Sequence, residues 1–378
     1  MKNLNSASGL ISLAESDFLK GLGITLIFVH NYMHWSGGTG IENEMMFSGN
    51  NFLVFKNNFL NSIADFFIYG FSLFGHFGVQ LFIFISVYGL TVKYKDMKLN
   101  LANYVVSVLP RVVNVVLLFC LGILLTKIVL IFYTDFHHSI QYFIYVIAIT
   151  VTTYKSFFKS LMYEYMGPYW YFSIAIQIYL LHPFFMRLFN SKNRSNASFY
   201  AIFIVASYCL IVPLYFYLRP TDISLFSNVI GHLPEIFLAI YLAVNGVKVN
   251  RYLFIALLPI LVLSQMYEWL FPFSFLTACL SLLSFCNLLY TGLPPAALKI
   301  VRKVGEISMI IFILNGPLRM VSYFQSEPGQ TDPSKFLQFT MLLLLLSYLI
   351  YSLYTPLAKI VTNKARKLSG SLFKLSPA

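Results

Sequence analysis

Charge is scarce in this chain. Of 378 residues only 11% are Asp, Glu, Lys or Arg, while 58% are hydrophobic. Water-soluble domains carry about 25% charged residues. A water-facing fold cannot cover such an apolar excess, so a soluble enzyme, a nucleic-acid binder and a disordered scaffold are all excluded. Carboxylates are the rarer sign: 14 Asp and Glu stand against 26 Lys and Arg, a net charge of +12. In a membrane protein this bias reports topology, because basic residues collect in cytoplasmic loops. A basic cytoplasmic mouth also attracts anionic substrates. The four cysteines, Cys120, Cys209, Cys279 and Cys286, lie inside apolar runs without metal-ligand spacing. They read as packing residues rather than disulfides. The polar N-terminal stretch shows no cleavable signal pattern. Zinc signatures, carboxylate pairs at helical spacing, phosphate-binding glycine loops and nucleophile elbows are missing as well. No metal and no nucleic-acid partner is expected.

Long apolar runs are abundant. A bilayer-crossing helix needs roughly 20 apolar residues. Runs of that size lie near 18–36, 72–92, 104–128, 168–189, 198–218, 226–246, 252–270, 272–292, 306–325 and 336–358, with a shorter one at 139–153. Basic clusters test the count. They comprise Lys93, Lys95 and Lys98; Arg187, Lys192 and Arg194; Lys248 and Arg251; Lys299, Arg302 and Lys303; and the tail with Lys359, Lys364, Arg366, Lys367 and Lys374. All fall on one side if 139–153 does not cross; Lys155 and Lys159 then lie outside. The expected fold is an all-α integral membrane protein, a polytopic bundle of about ten transmembrane helices with both termini cytoplasmic. Residues 1–17 form an N-terminal tail, 18–358 the transmembrane domain and 359–378 a basic tail. Asp135, His137 and His138 suit a turn at the outer surface.

Polar groups inside the spans are functional candidates, because lipid makes them costly. His30 lies ~18 Å along the first span from Phe18. His34 shares its face one turn on. An imidazole takes a proton from a hydroxyl near neutral pH; the bland alternative is a histidine satisfied by a nearby carbonyl. His76 and Gln80 share a face of the second span, with Ser86 and Tyr88 deeper, as catalytic groups or as helix–helix glue. Trp170, Ser173 and Gln177 follow helical spacing beside Tyr179. Trp170 also suits an interfacial belt, whereas the Gln177 amide needs partners in lipid. His232 and Glu235 lie near one end of the sixth run. Asn315 stands beside Gly316 and Pro317, where a broken helix can line a cavity. Arg111 follows Pro110 at the inner side, as a phosphate-binding fork or a membrane-edge anchor.

Four blocks carry a family resemblance: DFLKGLGITLIFVH, GHFGVQLFIFISVYGL, GPYWYFSIAIQIYLLHP and VGEISMIIFILNGPL. In this order and spacing the chain resembles the membrane-bound acyltransferase family 3, whose members O-acylate bacterial surface sugars. The resemblance implies a ten-helix core in the inner membrane with His30 as catalytic base. The spacing from Lys20 to His30 is one residue shorter than the family's usual interval, and Arg111 stands alone where the family pairs arginines.

The expected activity is therefore transfer of an acyl group, expected to be acetyl, from acyl-CoA to a hydroxyl of an envelope glycan or lipid-linked sugar. Acyl-CoA is a co-substrate, and no permanently bound cofactor is expected. His30 is the base. Gln80, Gln177 and Asn315 are amides able to orient it or polarise the thioester. Arg111 and Lys20 would meet the donor's phosphates. His76, Ser86, Trp170 and Tyr179 would bind substrate. Membrane lipids are the remaining partner. The competing reading is a transporter or flippase of a glycan or lipid precursor, since intramembrane His, Gln and Asn also suit a permeation path.

Overall fold

The computed structural model describes residues 10–36, 39–96, 100–133, 139–189, 196–325 and 332–372. Asp135, His137 and His138, together with Lys98, Lys192, Arg194 and Lys374 of the basic clusters, lie outside these residues.

The described residues form helices, with one isolated bridge between Phe158 and Ile223. In chain order they are α1 (Leu13–Asn31), α2 (Gly49–Asn58), α3 (Ile63–Phe74), α4 (Gly78–Tyr94), α5 (Leu101–Tyr133) and α6 (Ile140–Val151). Then come α7 (Lys159–Met162), α8 (Trp170–Leu188), α9 (Ala197–Leu218), α10 (Leu233–Asn245) and α11 (Leu253–Met266). The last are α12 (Ser274–Gly292), α13 (Pro295–Glu306), α14 (Ser308–Arg319) and α15 (Pro333–Leu372).

Among the described residues, five helical stretches are long and apolar enough to cross a bilayer: Ile63–Tyr94, Leu101–Ile131, Ala197–Leu218, Glu268–Gly292 and Pro333–Ser369. Their outward faces are apolar. Ile202 and Val205 on α9, and Met341, Leu345 and Leu353 on α15, are exposed as lipid would require. The expected count of about ten is not confirmed, because several of the apolar runs form shorter helices. At 1.5 Å per residue the 12 residues of α14 reach only ~18 Å, against a hydrocarbon core of about 30 Å. Pro234 stands at the start of α10, and α13 and α14 are separated by a break at Ile307. The 139–153 run is likewise short, a helix of 12 residues.

Two boundaries also differ from expectation. The first helix begins at Leu13 rather than Phe18, because Ser12 and Glu15 form a capping box: Glu15 N–H donates to Ser12 Oγ at 3.2 Å, and Ser12 N–H donates to Glu15 Oε2 at 2.8 Å. The last helix continues beyond 358 to Leu372. All four cysteines are free, as read from the sequence; Cys279 and Cys286 are buried and Cys209 is exposed.

The α1 helix is the axis of the bundle, packed against α4, α13 and α14. Glycines permit the close crossings. A Cβ on Gly78 would stand 2.4 Å from the Gly23 carbonyl oxygen, and one on Gly305 only 1.7 Å from the Asp17 carbonyl oxygen. At the far end of the α1–α4 contact, a Cβ on Gly75 would sit 2.6 Å from His30 Cβ. Small residues at these crossings bring the 3₁₀ turn Gly75–Phe77 against the last turn of α1.

Candidate active site

The last turn of α1 carries His30 and runs into a π-helical turn, Tyr32–Ser36, that carries His34 and Trp35. Single π turns within helices recur at functional sites because they re-aim side chains. His30 and His34 stack with ring centroids 5.5 Å apart, and His76 meets His30 edge-on at 5.5 Å. The loop 39–48 returns over these rings and is firmly tied. Gly40 adopts a left-handed conformation (φ +62°), and Ile41 is buried against Phe52 and Leu73. Asn51 Nδ2 donates to the Glu42 carbonyl at 2.6 Å and to Asn43 Oδ1 at 2.9 Å. This places the Glu42 side chain on the histidines: Oε2 is 3.1 Å from His30 Nε2, and Oε1 is 3.5 Å from His34 Nε2.

The other His30 nitrogen fixes the tautomer. Nδ1 lies 3.1 Å from the Phe71 carbonyl oxygen. A carbonyl offers only lone pairs, so Nδ1 carries a proton and donates it. Nε2, which faces Glu42 Oε2, is the nitrogen whose protonation can change.

These groups wall a cavity of about 210 Å³, lined among others by Ile27, Asn31, Trp35, Glu44, Tyr163, Trp170 and Arg319. Arg319, at the end of α14, is 6% exposed. Its Nη1 donates to Asn31 Oδ1 at 3.0 Å, and its guanidinium stacks over Trp35 at 4.8 Å. Burial alone would raise the Glu42 carboxyl, but the His30 hydrogen bond and positive charge on His34, His30 and His76 outweigh it, holding the group at about 2. Glu44, partly buried beside Glu42, is pushed well above the carboxylate range by burial and then by its neighbour's charge; Arg319 and a hydrogen bond from Trp170 offset part of this. Two adjacent carboxylates are thus split in character.

Below this cavity lies a second of about 10 Å³, lined by Ile27, Val79, Phe82, Tyr171, Met309 and Phe312. Among the described residues no group of three or more His, Cys, Asp or Glu is arranged to hold a metal ion.

The residues singled out in the sequence separate into sets. His30, His76 and Trp170 come together at the cavity. Ser86 and Tyr171 make a 3.5 Å hydroxyl contact deeper in the bundle. Arg111 lies within electrostatic reach of Tyr179 and His182, and Tyr179 is ~14 Å along α8 from Trp170. Lys20 pairs with Asp17 at 2.7 Å, ~15 Å along α1 from His30. The expected donor contacts therefore lie toward the opposite end of the bundle from His30. None of the three amides contacts His30. Gln177 Nε2 donates to Ser156 Oγ at 2.7 Å and its Oε1 accepts from Val229 N–H at 2.8 Å, joining two loops. Gln80 Oε1 and both amide atoms of Asn315 are buried without a partner. The group on His30 is the Glu42 carboxylate, which the sequence reading missed, as it missed Glu44, Asn31 and Arg319. Arg319 was legible in one respect: it follows Asn315 by one helical turn, directly after a block already singled out.

A family model described as an acyltransferase domain matches residues 13–352, nearly the whole chain. The chain belongs to acyltransferase family 3. A search of curated proteins and a search of solved structures returned no match. This acyltransferase is a membrane protein, and the transporter reading is not favoured.

Proposed function

We propose that this acyltransferase moves an acetyl group from acetyl-CoA to a hydroxyl of an envelope glycan or lipid-linked sugar in the inner membrane, with His30 as general base. One observation carries the reading: His30 is locked by the Phe71 carbonyl so that Nε2 is its exchangeable nitrogen, at the wall of a cavity with room for substrate. The flat faces of Trp35 and Trp170 and the carboxylates of Glu42 and Glu44 line that cavity, a mixture suited to the apolar face and hydroxyl rim of a sugar. The donor enters from the cytoplasmic end, where Arg111 and Lys20 meet its phosphates, and its thioester reaches His30 past Ser86 and Tyr171. His76 and Trp170 bind substrate at the cavity; Tyr179 does so beside Arg111.

His30 takes the acceptor's proton as the oxygen attacks the thioester carbonyl. The C–S bond breaks, sulfur leaves with the electron pair, and the imidazolium returns the proton to give the free thiol. Arg319 and the His76 N–H line the same cavity and are donors for the developing oxyanion.

The test compares envelope glycans by mass spectrometry in a deletion strain carrying the wild-type protein, His30→Ala or His34→Ala at matched expression. The wild type adds one acetyl mass. His30→Ala loses transfer by about 10²–10⁴-fold, the usual contribution of a general base, and His34→Ala loses less. An unmodified glycan profile with wild type present would remove the acceptor assignment, and near-normal transfer by His30→Ala would remove the base.

A further inference from the structure

Glu42 does more than touch His30. Its two carboxylate oxygens face two different imidazoles, His30 at 3.1 Å and His34 at 3.5 Å, and those rings stack on one another. The carboxylate is the most open member of the set: its side chain is 25% exposed, against 5% for His30 and 12% for His34. Its backbone is anchored by Asn51, so the contact belongs to an ordered loop and not to a free side chain. With Nδ1 already donating to Phe71, a proton arriving at Nε2 leaves His30 donating on both sides, to the Phe71 carbonyl and to Glu42 Oε2. A carboxylate in that place favours the imidazolium and fixes its ring plane, whereas an amide cannot supply the charge.

We propose that Glu42 is the positioning residue of the transfer: its carboxylate, set between His30 Nε2 and His34 Nε2, stabilises and orients the imidazolium that forms when His30 takes the acceptor's proton, until the departing thiolate takes that proton. This rests on the acyl-transfer reading above. Bonds and charge balance: the acceptor O–H breaks and its proton goes to Nε2, the ester C–O bond forms, the thioester C–S bond breaks, and the sulfur receives that same proton. The other charged and titratable groups facing the pair are His76 from the turn after α3, Glu44 from the same loop, Tyr163 from the segment before α8, and Arg319 from α14.

The test uses the full-length protein purified into lipid nanodiscs, with acetyl-CoA as donor and the glycolipid fraction of deletion-strain membranes as acceptor. Glu42→Gln keeps the shape and removes the charge. Its kcat is expected to fall about 10²-fold, with KM for acetyl-CoA and for acceptor within about threefold of wild type. Removing a negative charge beside a base lets the base lose its proton more readily, so the acid limb of the kcat profile moves to lower pH. Glu42→Asp, which restores the charge on a shorter arm, recovers most of the rate. A Glu42→Gln protein with wild-type kcat, or with a reduced rate and an unmoved pH profile, or with its whole loss in KM, would overturn the proposal. If the wild type releases no free thiol from acetyl-CoA in the presence of this acceptor, the transfer reading itself fails, and the proposal fails with it.

Discussion

His76 is only 2% exposed, yet neither of its ring nitrogens has a hydrogen-bond partner. A buried polar atom costs about 1–3 kcal/mol wherever neither protein, water nor ligand meets it, and His76 lines the cavity. Such a group makes sense where a bound substrate completes it. His76→Phe keeps the ring volume and removes the orphaned atoms. It is expected to unfold at a higher temperature than wild type in detergent while transferring acyl groups at least about tenfold more slowly, the trade expected at a functional site. A variant both less stable and equally active would make His76 a packing residue. Glu42 raises a second point at this scale. With its carboxyl held at about 2, below its ordinary value, it stays ionised throughout the working range of the protein. Its stabilising contribution is complete above the ordinary carboxylate range and is lost only as pH falls through about 2. A loss of wild-type activity between about pH 5 and 7 therefore does not come from Glu42. His30 was singled out in the sequence by its depth in the first span and by the motif block that ends on it. Glu42 was not, because a carboxylate in a polar loop carries no periodic signal and meets His30 only when the loop folds back. Gln177 shows the reverse error: an amide in lipid does demand partners, but the sequence cannot say that two loop groups, Ser156 and Val229, supply them.

Helices meet in this protein through glycine. The α1–α4 crossing brings Gly23 against Gly78, and the α1–α13 crossing brings Gly21 against Val301 and Gly305 against Asp17. Gly78→Leu forces a side chain into the Gly23 carbonyl, and overpacking of this kind costs about 1–3 kcal/mol. The same displacement carries His76 away from His30, so activity falls further than stability. Gly89, on the same helix, has open space around it. Gly89→Ala should be neutral or stabilising by up to about 1 kcal/mol, because alanine is the better helix former. Thermal unfolding of both variants beside wild type checks the pair; equal behaviour would show that the crossing tolerates separation. A glycine in a helix permits close approach, but whether it is used, and against which partner, depends on which helices become neighbours, as Gly78 and Gly89 of one helix show.

Across the whole molecule, the unequal distribution of charge is the basis for a proposed orientation. The basic loops around Lys248 and the tail are proposed to face the cytoplasm, with the loop that carries Glu42 on the other side. In a cysteine-free background, single cysteines at Asn250 and Lys364 should resist a membrane-impermeant thiol reagent on intact cells, while one at Lys56, exposed on α2, should react. The opposite pattern would invert the topology and place the acceptor site inside. Composition by itself determined that this chain lives in a membrane, since apolar excess has no other outlet, and the long apolar runs determined that it is built from helices, since a run of about 20 residues satisfies its own backbone in lipid only as a helix. The four motif blocks determined the family and picked out His30. The tertiary structure alone decided that some apolar runs are short, broken helices, and that a carboxylate rather than an amide stands on His30. It also set Arg111 beside Tyr179, toward the far end of the bundle from the cavity. The physical reason is common to all three: hydrophobicity is a property of each segment, while a helix break, a loop's return and a side chain's partner depend on what packs beside it.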